Sequence, residues 1–376
     1  MLNRRTLRIK IMQSLFAYEQ CKEANYLLAR DSIDSFFKPD LNSMKIQDKE
    51  LLKGQRAVAV KLFEKQFQGQ PAKESPDPRI SQSIEEAFDF LTKQSKKDFT
   101  FFRKNIVLEV DKINSIYYSV LNLIPAFETV ASQDKRIAAL TFGANPFIKA
   151  LRDNVDLRRE TLRKGGSWDQ RMDVVRSWFR DSVKTDKQFK DYLELEEPSA
   201  EDHLNFIKHL TRKIILGKTA INSYFEELDL WWAEDHEIVR SMTDKTIKSL
   251  TETGLVEIQK LSLNWEDDKD FAEKLFVFAA QLDSDYHQLI ADHTKNWEVD
   301  RLPLTDRVII HMALSEMVHF PNIPVKVTIN EYIELAKEYS TPKSRQFING
   351  ILDVLSKELA GTGKIKKSGR GLMDNK

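Results

Sequence analysis

Leu304-Thr-Asp-Arg-Val-Ile-Ile-His-Met-Ala-Leu-Ser-Glu-Met-Val318 is the stretch on which the fold turns. At the helical repeat its apolar residues lie nearly all round, and a helix without a polar face must be covered by other helices. Its neighbours supply that cover. Phe271, Leu275, Phe278, Ala279 and Leu282 step at three and four residues, which predicts a helix with one buried stripe over 270–295. Pro321 and Pro324 force an extended turn, after which Ile329, Ile333 and Ala336 form the inner face of a short helix over 330–339, bounded by Pro342. Phe347, Ile348, Ile351, Leu352, Leu355 and Leu359 make the core face of a last helix, which Gly361 is expected to end.

The same grammar extends toward the N-terminus. No proline occurs between 199 and 302, an interval of several helices with turns near Gly254 and at Asn264–Asp268. Between 132 and 200, breakers at Gly143-Ala-Asn-Pro146, Gly165-Gly166 and Pro198 separate short helices and an arginine-rich turn, Leu157-Arg-Arg-Glu-Thr-Leu-Arg163. Residues 80–131 read as helix, with Pro125 expected to kink or end it. Pro71, Pro76 and Pro78 mark a linker over 68–79, preceded by a helix over 44–67. The opening segment places Leu7, Ile11, Leu15 and Tyr18 on one helical face, with Arg4, Arg5 and Arg8 at its entry. With 12 glycines and 11 prolines in 376 residues, chain breakers stand at roughly half their ordinary share. No strand is predicted, and the fold class is all-α.

Composition excludes several functions. The single cysteine, Cys21, permits no internal disulfide and no cysteine-rich zinc site, and predicts a reducing compartment, the cytoplasm. No apolar run approaches a membrane span, and Lys10, Gln13, Glu19 and Gln20 interrupt the segment where an export signal would need its apolar core. Gly217-Lys218-Thr219 resembles the tail of a phosphate-binding loop, but the required earlier glycine is Arg212. The seven histidines include no i, i+4 pair and no His-Glu-x-x-His. Neither a nucleophile elbow nor a dinucleotide fingerprint occurs, so no enzyme, cofactor, metal or small-molecule substrate is expected.

Charge is balanced at 58 basic and 58 acidic residues, yet unevenly placed. Residues 1–30 hold six basic groups against two acidic, and residues 361–376 hold five against one. A polyanion is therefore attracted to the ends of the chain. Helix N-termini carry unpaired N–H groups and partial positive charge, to which Arg4, Arg5 and Arg8 add formal charge suited to phosphates. Gln13 and Phe16 could read and stack on a base, as single-stranded RNA recognition requires. Each has a plainer account as a solvated arginine, an exposed amide or a core aromatic.

Five further strings go together: Asn296-Trp-Glu-Val-Asp-Arg-Leu302, Leu304-Thr-Asp-Arg-Val-Ile-Ile310, Ile323-Pro-Val-Lys-Val-Thr-Ile-Asn-Glu331, Glu334-Leu-Ala-Lys337 and Phe347-Ile-Asn-Gly-Ile-Leu-Asp353. In order and spacing they resemble the NusB antitermination factor family, as does the Arg-Arg-x-x-Arg and Met-Gln-x-Leu-Phe pattern over 3–20. The resemblance implies a NusB-like pair of three-helix bundles in a bacterial factor that binds the boxA element of nascent ribosomal RNA. It implies as partner NusE, a small-subunit ribosomal protein, within an antitermination complex on RNA polymerase. Carried over by position, Arg4, Arg5, Arg8 and Gln13 contact RNA, Lys343, Arg345 and Phe347 extend that surface, and Asp306 falls in the face shared with NusE. Asn330, Glu331, Asn349 and Gly350 fix turns and packing.

Two departures stand out. Some 200 additional residues separate the first helix from the matching C-terminal half, which predicts a first helix in 1–25, a helical insertion over 26–200, the remainder of the family domain over 201–360 and a basic flexible tail over 361–376. Thr341-Pro-Lys-Ser344 also carries Lys343 and no acidic residue, where the family often has one. The competing readings are a helical protein–protein scaffold without specific RNA binding and the NusB-like domain of an RNA cytosine methyltransferase. One cysteine and few glycines argue against the latter.

Overall fold

The computed structural model describes residues 2–42, 46–73, 75–134, 139–293 and 302–375, so Asn296 to Arg301 of the first matching string lie outside the described residues. Among the described residues the chain forms sixteen α-helices and no strand. The first eight are α1 (Arg4–Phe36), α2 (Lys49–Phe67), α3 (Pro78–Ser132), α4 (Ala139–Ala144), α5 (Pro146–Arg152), α6 (Val155–Lys164), α7 (Met172–Trp178) and α8 (Lys187–Leu193). Then come α9 (Ala200–His209), α10 (Thr219–Leu228), α11 (Trp232–Thr253), α12 (Trp265–Ala280), α13 (Ser284–His293), α14 (Leu304–His319), α15 (Val325–Tyr339) and α16 (Pro342–Gly361). None is long and apolar enough to cross a membrane.

Local chemistry sets the helix ends. The Asn3 side chain accepts the Thr6 N–H at 2.8 Å and so opens α1. Asp48 accepts the Glu50 and Leu51 N–H groups, which starts α2 at Lys49 instead of 44. The helix expected over 270–295 is two, α12 and α13, because the Asp283 carbonyl accepts from Tyr286 and His287 and begins a new helix. α3 runs through Pro125 instead of ending there, between the fully buried Ile124 and Phe127 whose packing outweighs the lost N–H. α15 starts directly after Pro324, earlier than its apolar spacing suggests. Beyond α16 it is Gly363, at φ +68°, and not Gly361, that takes the left-handed turn.

Two compact units result. The first comprises Met1–Leu7 and Val107–Asp270. Its core is aromatic: Tyr192 stacks on Phe206 at 4.1 Å, and Trp168 meets Trp178 and Tyr224 at 5.4 and 5.5 Å. The Trp168 indole N–H donates to the Ser119 carbonyl at 2.8 Å. Gly166, at φ +104°, lets the chain approach α3 so closely that a Cβ would stand 2.9 Å from the Ser115 carbonyl oxygen.

The second unit comprises Arg8–Ile106 and Phe271–Lys376. Ala29, Ile33 and Phe37 of the α1 end pack with Leu52, Ala59 and Phe63 of α2 and Ile80, Ile84 and Ala87 of α3 as one apolar cluster. Tyr18 meets Phe99, Phe102 and Phe276 at about 6 Å between centroids. Within α14, Val308, Ile309, Ile310, Met312, Ala313, Leu314 and Met317 are all buried, as its all-round apolar character predicts. The residues after α16 dock instead of hanging free: Ser368 N–H donates to the Pro321 carbonyl at 3.0 Å and the Lys367 ammonium to that of Phe320 at 3.0 Å.

Candidate nucleic-acid interface

In the first unit, the Leu2 N–H donates to the Leu261 carbonyl at 2.9 Å, fixing the chain as it enters α1. Arg4 and Arg5 follow, both half-buried. The Arg4 guanidinium pairs with Asp267 and lies 3.5 Å from Asp268, in the acidic first turn of α12. These pairs are partly solvated, so a phosphate can exchange with the carboxylates at small cost.

In the second unit Arg8 is only 3% exposed. Its Nε and Nη2 each donate to the Glu316 carboxylate at 2.8 Å, and Nη1 lies 3.5 Å from Glu331. Thr328 and Tyr332 hydroxyls donate to the same carboxylate at 2.9 and 3.1 Å, and the guanidinium sits 5.6 Å from the Phe271 ring centroid. Burial alone would lower the Arg8 pKa, but the hydrogen bonds and charge of Glu316 more than offset it and the net displacement is upward. The expectation of a phosphate contact from Arg8 is therefore corrected: the group is sealed in a polar network with Glu316, Glu331, Thr328 and Tyr332 and holds α1 against α14 and α15.

Asp306 needs the same correction as an exposed partner contact. It is 1% exposed and accepts a hydrogen bond from the Ser340 hydroxyl, tying α14 to the end of α15. Other expected residues lie at the surface of this unit. Phe16 is 38% exposed. Gln13 is half-buried. Lys343 and Arg345 are exposed in the first turns of α16, which hold no acid, and Phe347 is half-buried behind them. The Thr341 hydroxyl accepts the Ser344 N–H at 3.1 Å and fixes that helix start.

The sequence reading missed the network around Glu316. Its signal was present, since a lone acid inside an otherwise apolar helix requires a buried cation or donors. Among the described residues no group of three or more His, Cys, Asp or Glu side chains is placed to hold a metal ion.

Among the described residues the protein is all-helical, and a buried ion pair locks its first helix onto the closing ones. Residues 234–357 match the family model described as NusB family. The transcription antitermination protein NusB of Chloroherpeton thalassium (strain ATCC 35110 / GB-78) is 38% identical over 139 residues, 37% of this chain and 63% of that protein. Those of Salinibacter ruber (strain DSM 13855 / M31) and Koribacter versatilis (strain Ellin345) are 40% and 39% identical over 105 and 101 residues, 28% and 27% of this chain, covering 66% and 69% of their own lengths. The chain belongs to the NusB family. It spans roughly two thirds of the relatives it matches, and no solved structure matches it.

Proposed function

We propose that this protein is an RNA-binding transcription antitermination factor, acting in the cytoplasm and not as an enzyme. It binds boxA-type ribosomal leader RNA together with NusE in a complex on RNA polymerase. Family membership carries this reading. In the proposed division of labour Arg4, Arg5, Lys343 and Arg345 meet phosphates, Phe16 and Phe347 offer stacking faces and Gln13 a hydrogen-bonding amide. Arg8 is a positioning residue, and the family domain is interrupted by the helices of 26–200.

Fluorescence titration of boxA-like RNA against a scrambled oligonucleotide, with and without NusE, tests the proposal. Specific binding enhanced by NusE is expected. Replacing Arg4 and Arg5 by alanine should weaken binding and flatten the slope of log affinity against log salt by about 1.4, at roughly 0.7 per phosphate contact. Identical curves for both oligonucleotides would instead support a protein–protein scaffold, a reading favoured by Arg4 already being paired with Asp267 and Asp268.

A further inference from the structure

The arginine-rich string Leu157–Arg163 is not used by the function just proposed. It lies on α6, where it walls an open cleft of about 340 Å³ in the first unit, closed on the other side by residues 258–262 and Trp265. We infer that this cleft is a second RNA subsite, which takes the single-stranded segment flanking the boxA-type element. The inference rests on the RNA-binding reading and extends it to α6, which lies outside the family match, and to residues 258–265 within it.

Three observations carry it. Trp265 is half-buried, and among the described residues its indole N–H makes no hydrogen bond and its ring meets no other ring. An unpartnered aromatic face on a cleft wall is a stacking platform for any base. The cations around it are available: Lys260 is exposed and makes no ion pair among the described residues, and the Arg159 and Arg163 side chains are 65% and 71% exposed. The two arginines pair only with Asp156 and Glu160 on their own helix, at 2.9 to 3.8 Å, pairs that water already screens and a phosphate can displace. Finally, the cleft adjoins the start of α1. Leu2 is hydrogen-bonded to Leu261 of the cleft wall, and Arg4 is paired with Asp267, two residues past Trp265.

The surroundings favour RNA over an acidic peptide. An acidic peptide would need the cations but not the ring. A base on Trp265 with flanking phosphates on Arg159, Arg163 and Lys260 uses both features.

The test uses the full chain and two labelled RNAs, a minimal boxA-like oligonucleotide and the same one extended on either side by about eight nucleotides, within the usual span of a single-strand groove. Extension on one side should tighten binding about tenfold, the effect of one stacked base. Trp265→Ala should abolish that gain. So should Arg159→Gln with Arg163→Gln, two exposed changes that set no like charges beside Asp156 and Glu160, and neither variant should alter affinity for the minimal RNA. A wild-type chain that gains nothing from extension, or variants that keep the gain, would overturn the cleft while leaving the first-helix reading standing. Failure of the minimal RNA to bind would overturn that reading, and dependence of the longer RNA on Trp265 would still support the cleft. Competition by polyglutamate with no response to extended RNA would make the cleft a protein-contact site and refute the inference.

Discussion

Replacing Arg8 by methionine keeps the aliphatic stem and removes the charge, leaving Glu316 fully buried with only the Thr328 and Tyr332 hydroxyls as donors. Breaking one half of a buried pair usually costs about 3–5 kcal/mol. A second route bounds the loss. A stranded carboxylate can take up a proton, and for an ordinary glutamic acid of pKa ~4.3 that costs ~1.36 kcal/mol per pH unit, about 3.7 kcal/mol at pH 7 and about 1 kcal/mol at pH 5. The folded variant then binds a proton that the unfolded chain releases above pH ~4.3, so its deficit grows as pH rises. Urea unfolding at pH 5 and pH 7 reads both numbers. Replacing Glu316 by leucine as well should restore much of the loss, because an apolar pair needs no compensation. The variant, assayed where it is folded, should retain the wild-type salt slope for RNA. A loss below about 1 kcal/mol at pH 7, a deficit that does not change with pH, or a flattened salt slope would refute the assignment of Arg8 as an internal anchor.

His311 sits 4.8 Å from His287, and burial, followed by the charges of His287, Arg307 and Lys22, holds its pKa down to about 3 from 6.5. Its neutral form is favoured by folding, so the unfolded chain binds the extra proton between these values. Stability present above pH ~6.5 is lost as pH falls, by about 2 kcal/mol at pH 5, and His311→Gln should remove most of that acid sensitivity in a pH series of thermal melts. Gly371 lies so close to the Pro321 carbonyl that an added Cβ would overlap it, so Gly371→Ala should release the docked C-terminal segment, seen as faster proteolysis after residue 361 with α16 intact.

The architecture was readable where apolar spacing alone decides it. α14 was evident from its all-round apolar surface, and α16 from the stripe Ile348, Ile351, Leu352, Leu355 and Leu359, all of them buried. Breaks set by a single hydrogen-bonding group were harder. Nothing in the apolar rhythm of 270–295 reveals that Asp283 begins a new helix. The interface was read least well because it was judged by residue type. Arg8 stands about 20° from Leu15 on the helical wheel, inside the buried arc, yet its charge suggested solvent. Glu316 was the matching anomaly in α14. Each explains the other, but they lie 308 residues apart, and only the tertiary fold pairs them. Asp306 misled for the same reason, since its partner Ser340 caps the end of the next helix. Trp265 and the arginines of α6 were visible separately, with no sequence signal that one cleft holds both.

Lengthening a connection between packed elements costs only about 0.6 kcal/mol per doubling, so an added segment of some 200 residues, about one and a half doublings of the separation between Arg8 and Glu316, opposes the association of α1 with α14 by about 0.9 kcal/mol. The Arg8–Glu316 pair resists separation by more than that once formed, since parting it strands a charge. Rotation matters as much as attachment. With Arg8 turned into the core, Leu15 falls about 20° to one side of it and is buried, while Phe16 falls about 80° to the other and is left 38% exposed. The angular position of the proposed stacking face is thus set by a buried residue that points away from it. A lysine at position 8 keeps the charge but cannot give Glu316 the same forked pair. Arg8→Lys should therefore weaken RNA binding through loss of the Phe16 contribution while leaving the salt slope unchanged. An Arg8→Lys chain whose affinity still falls by the wild-type factor when Phe16 is replaced by alanine would show that the anchor does not orient the helix.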